Sequence, residues 1–284
     1  MLGHVKIATY EPDNSLKKGY LSIFGEIVNE VKRNGWLTYQ LFKRDFFAMY
    51  QQSFIGLVWI IILPLVNVAT FLLLSRSGIF NLGDMPVPYP LYALLGMAFW
   101  QIFATGILSC GSSLTKAGEM ILRINFSKKS LVMAEIGKPI ISFVIQFVLV
   151  GILFVCYRVV PHHTIFLVPI VVLPVIVLTL GLGFMVALLN AIVRDTGNVL
   201  SLGMTLLMYL TPVLYARPQQ MGLLGHITKY NPMYYFITAG RDLVLKGTLT
   251  EPKGFVISSL VSLVILLIAL MMFHLTETRI AERI

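Results

Sequence analysis

Few residues of this sequence are placed for covalent or metal chemistry. The five histidines include one adjacent pair, His162 and His163, in a short predicted loop. Adjacent histidines on a turn rarely converge on one metal ion, because ligand pairs are usually spaced by several residues. Cys110 and Cys156 both lie within apolar stretches, near opposite ends of their stretches, so they are expected to be unpaired packing residues. The pattern predicts no metal site.

Sequence motifs for catalysis are also missing. The chain has no Walker A sequence, since a pair such as Gly137-Lys138 lacks the rest of that motif. It also lacks His-Glu-x-x-His, Cys-x-x-Cys and Gly-x-Ser-x-Gly patterns. We therefore predict no catalytic residue and no cofactor held by this chain. A membrane enzyme would need a convergent cluster, for which Asp84, His162, His163 and Asp242 are the candidates.

The elements that must position any site are long and apolar. Six stretches contain no Asp, Glu, Lys, Arg or His, and each is long enough to cross a bilayer, which takes about 17–25 residues. Ion-coupled pumps usually keep ionisable side chains inside the membrane, so an energy source outside these stretches is expected. The six stretches are residues 53–74, 91–114, 139–157, 166–193, 199–215 and 255–273.

Composition agrees with one membrane domain. The 284 residues are 57% hydrophobic and 12% charged, with a mean hydropathy of +0.83, whereas soluble domains are about 25% charged. We divide the chain into a cytoplasmic N-terminal segment, 1–52, and a six-span domain, 53–284. The net charge of +9 is assigned to basic residues that flank spans and not to nucleic-acid binding, because no compact basic module is present.

The distribution of Lys and Arg predicts the orientation. With both termini in the cytoplasm, 15 of the 22 Lys and Arg residues fall on the cytoplasmic side and seven on the outer side. This excess is the one expected for cytoplasmic loops. A multi-pass protein of the bacterial cytoplasmic (inner) membrane, with both termini inside, is therefore predicted.

The segment before the first span reads as two amphipathic helices that are broken at Asn34-Gly35. In the second helix, apolar and aromatic side chains recur on one face while Lys43 and Arg44 point elsewhere. Such a helix suits the membrane interface, although the same face could instead pack on the spans. The residues of this face are Tyr39, Phe42, Phe46, Met49 and Tyr50.

The loops between spans differ in length. Residues 115–138 form a charged cytoplasmic loop whose end leads into the third span, and residues 194–198 form a minimal connection between spans four and five. Residues 216–254 are too polar for a span, and Pro218 and Pro232 each fit the first position of a helix. The predicted fold is an all-α membrane protein with six transmembrane helices, an N-terminal amphipathic interface helix and two short outer re-entrant or interfacial helices between spans five and six.

Several short motifs follow one another in the six-span frame. They are Arg44-Asp45, Tyr50-Gln51-Gln52-Ser53, Gly56, Trp59, Pro64, Asn125-Phe126, Arg194-Asp195, Thr211-Pro212-Val213-Leu214-Tyr215 and Asn231-Pro232. In this order they resemble the permease subunit of ATP-binding-cassette exporters for cell-surface polysaccharides of the O-antigen and teichoic acid type. The resemblance runs from about residue 36 to the C-terminus.

The resemblance implies that two permease copies pair and that two separate ATPase subunits, which carry ATP and Mg, bind on the cytoplasmic side. The chain itself would then be a transport subunit and not an enzyme. The loop 115–138 would hold a coupling helix, and 194–198 a second contact. The implied coupling residues are Arg123, Asn125, Phe126, Lys128, Lys129, Arg194 and Asp195. The implied interface-helix residues are Phe42, Arg44, Phe46 and Tyr50.

A path for sugars is expected to use aromatic and small polar side chains. Sugars stack their C–H faces on aromatic rings and hydrogen-bond with amides and hydroxyls. The alternative is that aromatics at span ends are interfacial anchors and that the amides join helices. The path candidates are Trp59, Asn67, Tyr92, Phe99, Trp100, Gln101, Tyr209 and Tyr215.

Three functions stay open on the sequence. The first is export of a lipid-linked, O-antigen-like polysaccharide, and the second is export of a small lipid or drug by the same architecture. The third is an integral-membrane enzyme of lipid or glycan metabolism. Basic residues on the outer side would attract polyanions such as teichoic acid, or would be solvated loop charges. They are Arg217, Lys229, Arg241, Lys246 and Lys253.

Overall fold

The computed structural model describes residues 20–51, 56–77, 85–118, 126–193, 195–215 and 223–280, and its elements in these ranges are helices. Short 3-10 turns lie at Gly56–Val58 and His163–Leu167. The α-helices are α1 Tyr20–Arg33, α2 Gly35–Gln51, α3 Trp59–Arg76, α4 Tyr89–Gly111, α5 Ser113–Lys116, α6 Lys129–Glu135, α7 Gly137–Cys156, α8 Val168–Ile192, α9 Thr196–Leu210, α10 Leu223–Tyr230, α11 Pro232–Leu245 and α12 Pro252–Ile280.

Within the described ranges, four helical segments are long and apolar enough to cross a membrane. They match the second, third, fourth and sixth predicted spans, and they are Tyr89–Gly111, Lys129–Cys156, His163–Ile192 and Pro252–Glu277. The first and fifth predicted stretches give shorter apolar helices, Trp59–Leu74 and Thr196–Leu210. The structure thus supports four full-length spans of the six that were predicted.

The fifth predicted stretch is shorter than expected because its helix ends at Leu210 and not at residue 215. Thr211 is extended, with φ −99° and ψ 133°, as expected for a residue that precedes a proline. Residues 211–214 are nevertheless buried. At a rise of 1.5 Å per residue, the 15 residues of α9 cover roughly 22 Å, which is less than the approximately 30 Å hydrocarbon core.

Helix α4 lies at the centre of the bundle and packs on α7, α8 and α11. Its small residues allow this close packing. A Cβ added at Gly106 would lie 2.4 Å from Thr179 Cγ2 of α8, and one at Gly111 would lie 2.4 Å from Val186 Cγ1. Small residues at helix contacts are typical of membrane proteins, where packing replaces the hydrophobic effect as the force between helices.

Helices α8 and α12 form the most extensive contact in the bundle. A Cβ at Gly181 would lie 2.9 Å from the backbone nitrogen of Leu266, so the two backbones approach closely. Phe184 and Phe273 pack edge to face, with ring centroids 5.0 Å apart. These contacts fix the C-terminal helix against the centre of the bundle.

The bundle has two ends. We call one the termini end, because α1, α6 and the last turns of α12 meet there. The opposite end carries the turn at 211–215, α10 and α11. There the amide of Asn231 donates to Thr211 Oγ1 at 2.6 Å, and the backbone N–H of His162 donates to the carbonyl of Val244 at 2.9 Å. The sites described below lie at one or the other of these two ends.

The predicted break at Asn34-Gly35 is confirmed, since α1 ends at Arg33 and α2 begins at Gly35. The predicted apolar face of α2 is confirmed only in part. Leu41 is buried and Phe42 partly buried, and α2 packs on α6, whereas Tyr39 is exposed. The face of α2 that packs on its neighbours contains Leu37 and Leu41, which lie one helical turn apart. Tyr39 lies halfway between them in sequence and therefore points to the opposite side of the helix.

Two short helices do lie between the fifth and sixth stretches, as predicted. Pro232 occupies the first turn of α11, and the Asn231 side chain caps that helix by accepting from the N–H of Met233 at 2.9 Å. Much of α11 is buried against α4, α8 and α12. Pro218 lies outside the described residues.

Candidate functional site

A buried ion-pair network joins three helices at the termini end. Lys129 is the first residue of α6, and its side chain is only 1% exposed. Its ammonium donates to Glu30 Oε2 of α1 at 2.9 Å and also pairs with the carboxylate of Glu277 on α12. The network therefore ties the start of the third span to helices from both ends of the chain.

Neighbouring groups complete this network. The backbone N–H of Lys128 donates to Glu277 Oε1 at 2.7 Å, and the Lys128 ammonium donates to the Glu277 carbonyl at 2.9 Å. His274 Nδ1 lies 4.0 Å from Glu30 Oε2. Glu277 is thus held through its side chain and its backbone, which fixes the last turns of α12 onto α6.

The electrostatics favour a charged Glu30. Burial raises the pKa of this carboxyl, but a hydrogen bond from Ser127 and the charge of Lys129 outweigh burial and lower the pKa below its ordinary value of 4.5. For Lys128, burial lowers the pKa, while the nearby Glu277 carboxylate opposes that shift. Two carboxylates face two ammonium groups, so the network is close to neutral as a unit.

Three side chains of this network have the donors of a metal site. Ligand atoms of Glu30, His274 and Glu277 all lie within 4.8 Å of one another, and imidazole with carboxylates is a donor set that suits zinc. The Lys129 ammonium, however, already contacts both carboxylates. The arrangement is therefore suited to holding a lysine side chain, and a metal ion would have to displace it.

The predicted coupling residues fall into three groups. Lys128 and Lys129 belong to the buried network, so Lys129 does not present its charge on the surface of the loop. Phe126 is partly buried in the apolar cluster at the termini end, and Asp195 is exposed at the start of α9. The remaining three lie outside the described residues and are Arg123, Asn125 and Arg194.

Helix α2, the predicted interface helix, meets the third span at a glycine. A Cβ added at Gly137, the first residue of α7, would lie 2.4 Å from Cδ2 of Phe42. The Phe42 ring also packs on Phe46, with centroids 5.6 Å apart. Nearby, Arg44 Nε donates to Asp45 Oδ1 at 2.7 Å. The side chain of Tyr50 lies outside the described part of the chain.

A polar cavity of about 370 Å³ opens beside α2. Its wall includes the pair formed by Lys138 and Glu135, whose charged atoms are 2.7 Å apart. The cavity lies between α2, α5, α6 and the start of α7. A movement of α2 would therefore change the distance between α2 and these elements. Its charged lining residues are Arg44, Asp45, Lys116, Glu135 and Lys138.

The predicted path residues of α4 lie mostly in the interior of the single chain. Phe99 is fully buried, where its ring packs on Phe143 and against Gly240. Trp100 is also buried and packs on Phe103. Phe99 and Trp100 therefore pack in the interior of the single chain.

Other path candidates lie nearer the surface. Trp59 at the start of α3 is exposed, Tyr209 is 50% exposed on α9, and Asn67 and Gln101 are partly buried. The Tyr215 hydroxyl donates to the carbonyl of Tyr209 at 2.8 Å. The structure therefore brings Tyr209 and Tyr215 together, apart from the buried pair on α4.

Helix α9 carries a polar stripe, of which only Tyr209 is among the predicted path candidates. Asn198, Ser201, Thr205 and Tyr209 are all exposed, and at 100° per residue they fall within an arc of roughly 80°. No residue of α9 is buried. The i, i+3, i+7, i+11 spacing of polar residues in an apolar stretch was the signal that could have revealed this face.

Comparison with known proteins gives one family and several relatives. The family model described as ABC-2 type transporter matches residues 37–245. An O-antigen export system permease protein RfbA of Myxococcus xanthus is 26% identical over 264 residues, which cover 91% of this chain and 99% of the relative. Two proteins of the same name from Klebsiella pneumoniae are 24% and 26% identical, each over 84% of this chain and 92% of the relative.

Proposed function

Because this chain belongs to the ABC-2 type transporter family, we propose that it is the transmembrane subunit of an ATP-driven exporter that moves a lipid-linked, O-antigen-like polysaccharide across the bacterial cytoplasmic membrane. The observation that carries the substrate class is the similarity to O-antigen export permeases along nearly their whole length. The six apolar stretches named above have no Asp, Glu, Lys, Arg or His, which agrees with a driving force supplied from outside the membrane.

The energy source is a separate ATPase subunit that binds ATP and Mg. The sequence contains no Walker A motif, which would be needed to cradle the phosphates of ATP. Two ATPase copies would bind the termini end of a pair of permeases. The excess of Lys and Arg on that side supports a cytoplasmic position for the termini end.

Coupling would run through the buried network and the interface helix. The ATPase would contact the loop that precedes α6, and α6 is locked to α1 and α12 through Lys129. A displacement of the loop would therefore move these helices together. The contact between Phe42 and Gly137 would carry the same displacement to α2 and α7.

The substrate path would lie between two copies of the chain. Helices α3 and α9 leave large apolar side chains exposed, which include Trp59, Leu63 and Leu206. On α9 this apolar surface is interrupted by the polar stripe from Asn198 to Tyr209. Amide and hydroxyl groups are unfavourable against lipid tails, so this stripe is best accommodated facing a second copy, water or a sugar chain.

The test is co-expression of this chain with an ATP-binding-cassette ATPase from the same genome. We expect a stable complex that hydrolyses ATP, no hydrolysis by the purified chain alone, and polymer at the cell surface only when both subunits are present. An ATPase variant that lacks its Walker A lysine should abolish surface polymer while the complex still forms.

Three results would contradict the proposal. Surface polymer that persists without the ATPase would show that the ATPase is not the energy source for export. If cells that lack this chain lost efflux of a lipid or drug but kept normal surface polymer, the chain would be a small-molecule exporter. Conversion of a lipid or glycan by the purified chain alone would indicate a membrane enzyme.

A further inference from the structure

A second cavity lies at the end of the bundle opposite the termini. It has a volume of about 520 Å³, which is within the range of about 300–1,000 Å³ for small-molecule sites. It opens between the start of α4, the turn at 211–215, α11 and the loop that follows α11. The lining side chains that carry the argument are Tyr92, Tyr234, Thr238, Arg241, Asp242 and Glu251.

One wall of this cavity is a buried arginine that is held in place by backbone carbonyls. Arg241 is 5% exposed. Its guanidinium lies over the Tyr92 ring, 3.8 Å from the centroid. Nη1 donates to the carbonyl of Pro212 at 2.9 Å, Nη2 donates to the carbonyl of Val213, and Nε reaches the Tyr92 carbonyl at 3.3 Å. Arg241 is therefore not a solvated loop charge, because the residue is buried and three of its N–H groups point at backbone carbonyls.

The cavity lining also supplies carboxylates in fixed positions. Asp242 is buried, pairs with Lys246 at 3.2 Å and accepts from the backbone N–H of Thr250 at 2.8 Å. The Tyr234 hydroxyl donates to Glu251 Oε1 at 2.8 Å. Each carboxylate can accept further hydrogen bonds, because an ionised carboxylate offers about four lone-pair directions.

This lining discriminates between ligand classes. A phosphate or uronate would meet two carboxylates and an arginine whose donors are already directed at carbonyl groups, so an anion is disfavoured. A neutral polyol would find carboxylate acceptors for its hydroxyl groups, threonine hydroxyls, and the Tyr92 ring, which lines the cavity, for a C–H face.

We propose that this cavity is a binding site for a neutral pyranose, and that in the working exporter it holds a sugar residue of the polymer on the outer side of the membrane. The assignment to the outer side rests on the proposed function and orientation. Binding of a pyranose itself depends only on the cavity and is tested without transport.

The permease is purified, placed in lipid nanodiscs and titrated with four neutral sugars, namely methyl α-D-mannopyranoside, methyl α-D-glucopyranoside, methyl β-D-galactopyranoside and N-acetylglucosamine. Saturation-transfer NMR measures binding, with inorganic phosphate and glucuronate as anionic probes. We expect saturable binding of at least one neutral sugar. Glu251→Gln and Thr238→Val should each weaken it about tenfold, the loss expected when a hydrogen-bonding site loses one partner.

Tyr230→Phe is the matched control, because Tyr230 is 83% exposed on α10 and does not line the cavity. It should bind sugar like the unchanged protein. The inference is overturned if none of the four sugars shows saturable binding, if only the anions bind, or if binding is the same in all variants. Surface polymer measured in parallel separates the two claims, since normal ATPase-dependent export without sugar binding removes this inference and leaves the proposed function intact.

Discussion

Lys129 shows how a single side chain can define a site. An unpaired ammonium in a protein interior is strongly unfavourable, and so is an unpaired carboxylate. Here one lysine contacts Glu30 and Glu277, which are separated from it by 99 and 148 residues in sequence. Because each partner depends on the others, the three residues act as one structural unit.

Removing the lysine should therefore be more harmful than removing one from an exposed pair. Lys129→Met leaves two partly buried carboxylates without the ammonium group that contacts both of them and is expected to cost about 3–5 kcal/mol of stability. Lys246→Met breaks a half-exposed pair with Asp242 and should cost no more than about 1 kcal/mol. Thermal unfolding in detergent compares the two, and equal shifts of the midpoint would contradict the assignment. Lys129→Met combined with Glu277→Gln should recover part of the loss.

The pH dependence of stability follows from Glu30. Its pKa in the folded protein is lower than its ordinary value of 4.5, so it contributes stability above pH 4.5 that is lost as the pH falls toward the folded-state pKa. When unfolding midpoints are measured from pH 7 downward, they should decrease once the pH falls below 4.5. Glu30→Gln should flatten this decrease, and an unchanged pH slope in Glu30→Gln would show that other groups cause it.

At the scale of helices, much could be predicted from apolar length and from Gly and Pro positions. The spans that became α4, α7, α8 and α12, the break before Gly35 and the helix start at Pro232 all follow from local sequence. The early end of α9 and the burial of α11 do not, because both depend on contacts with distant elements. The pairing of Lys129 is of the same kind, since no local pattern links Glu30 to Glu277.

The contact between the interface helix and α7 gives a prediction about coupling. Gly137→Ala places a methyl group where the Phe42 ring lies, so α2 must shift or Phe42 must change its rotamer. In the complex with the ATPase, we expect ATP hydrolysis to continue while export per ATP falls several-fold. Gly151→Ala is the control on the same helix, because nothing lies within 4 Å of its added Cβ. Similar export in both variants would contradict a coupling role for this contact.

At the scale of the whole molecule, the two ends of the bundle carry different chemistry. The termini end holds the ion-pair network and the cavity beside α2, which are suited to receiving movement from a partner. The opposite end holds the aromatic and carboxylate cavity, which is suited to a sugar. Between the two ends, α9 has a polar face that the single chain leaves uncovered. A pair of chains would cover that face and join the two ends by a polar path.

That arrangement predicts which positions lie near a second copy. In a chain with Cys110→Ala and Cys156→Ser, which removes both native cysteines, Ser201→Cys on the polar stripe should form a dimer of twice 31.8 kDa with a short bismaleimide in native membranes. Val148→Cys should not, because Val148 is 60% exposed on α7 and an exposed apolar residue of a span is suited to lipid. Cross-linking at Ser201→Cys should also block export, because the two stripes would no longer separate around the polymer. Dimer formation through Val148→Cys alone, or full export by the cross-linked Ser201→Cys protein, would place the path elsewhere.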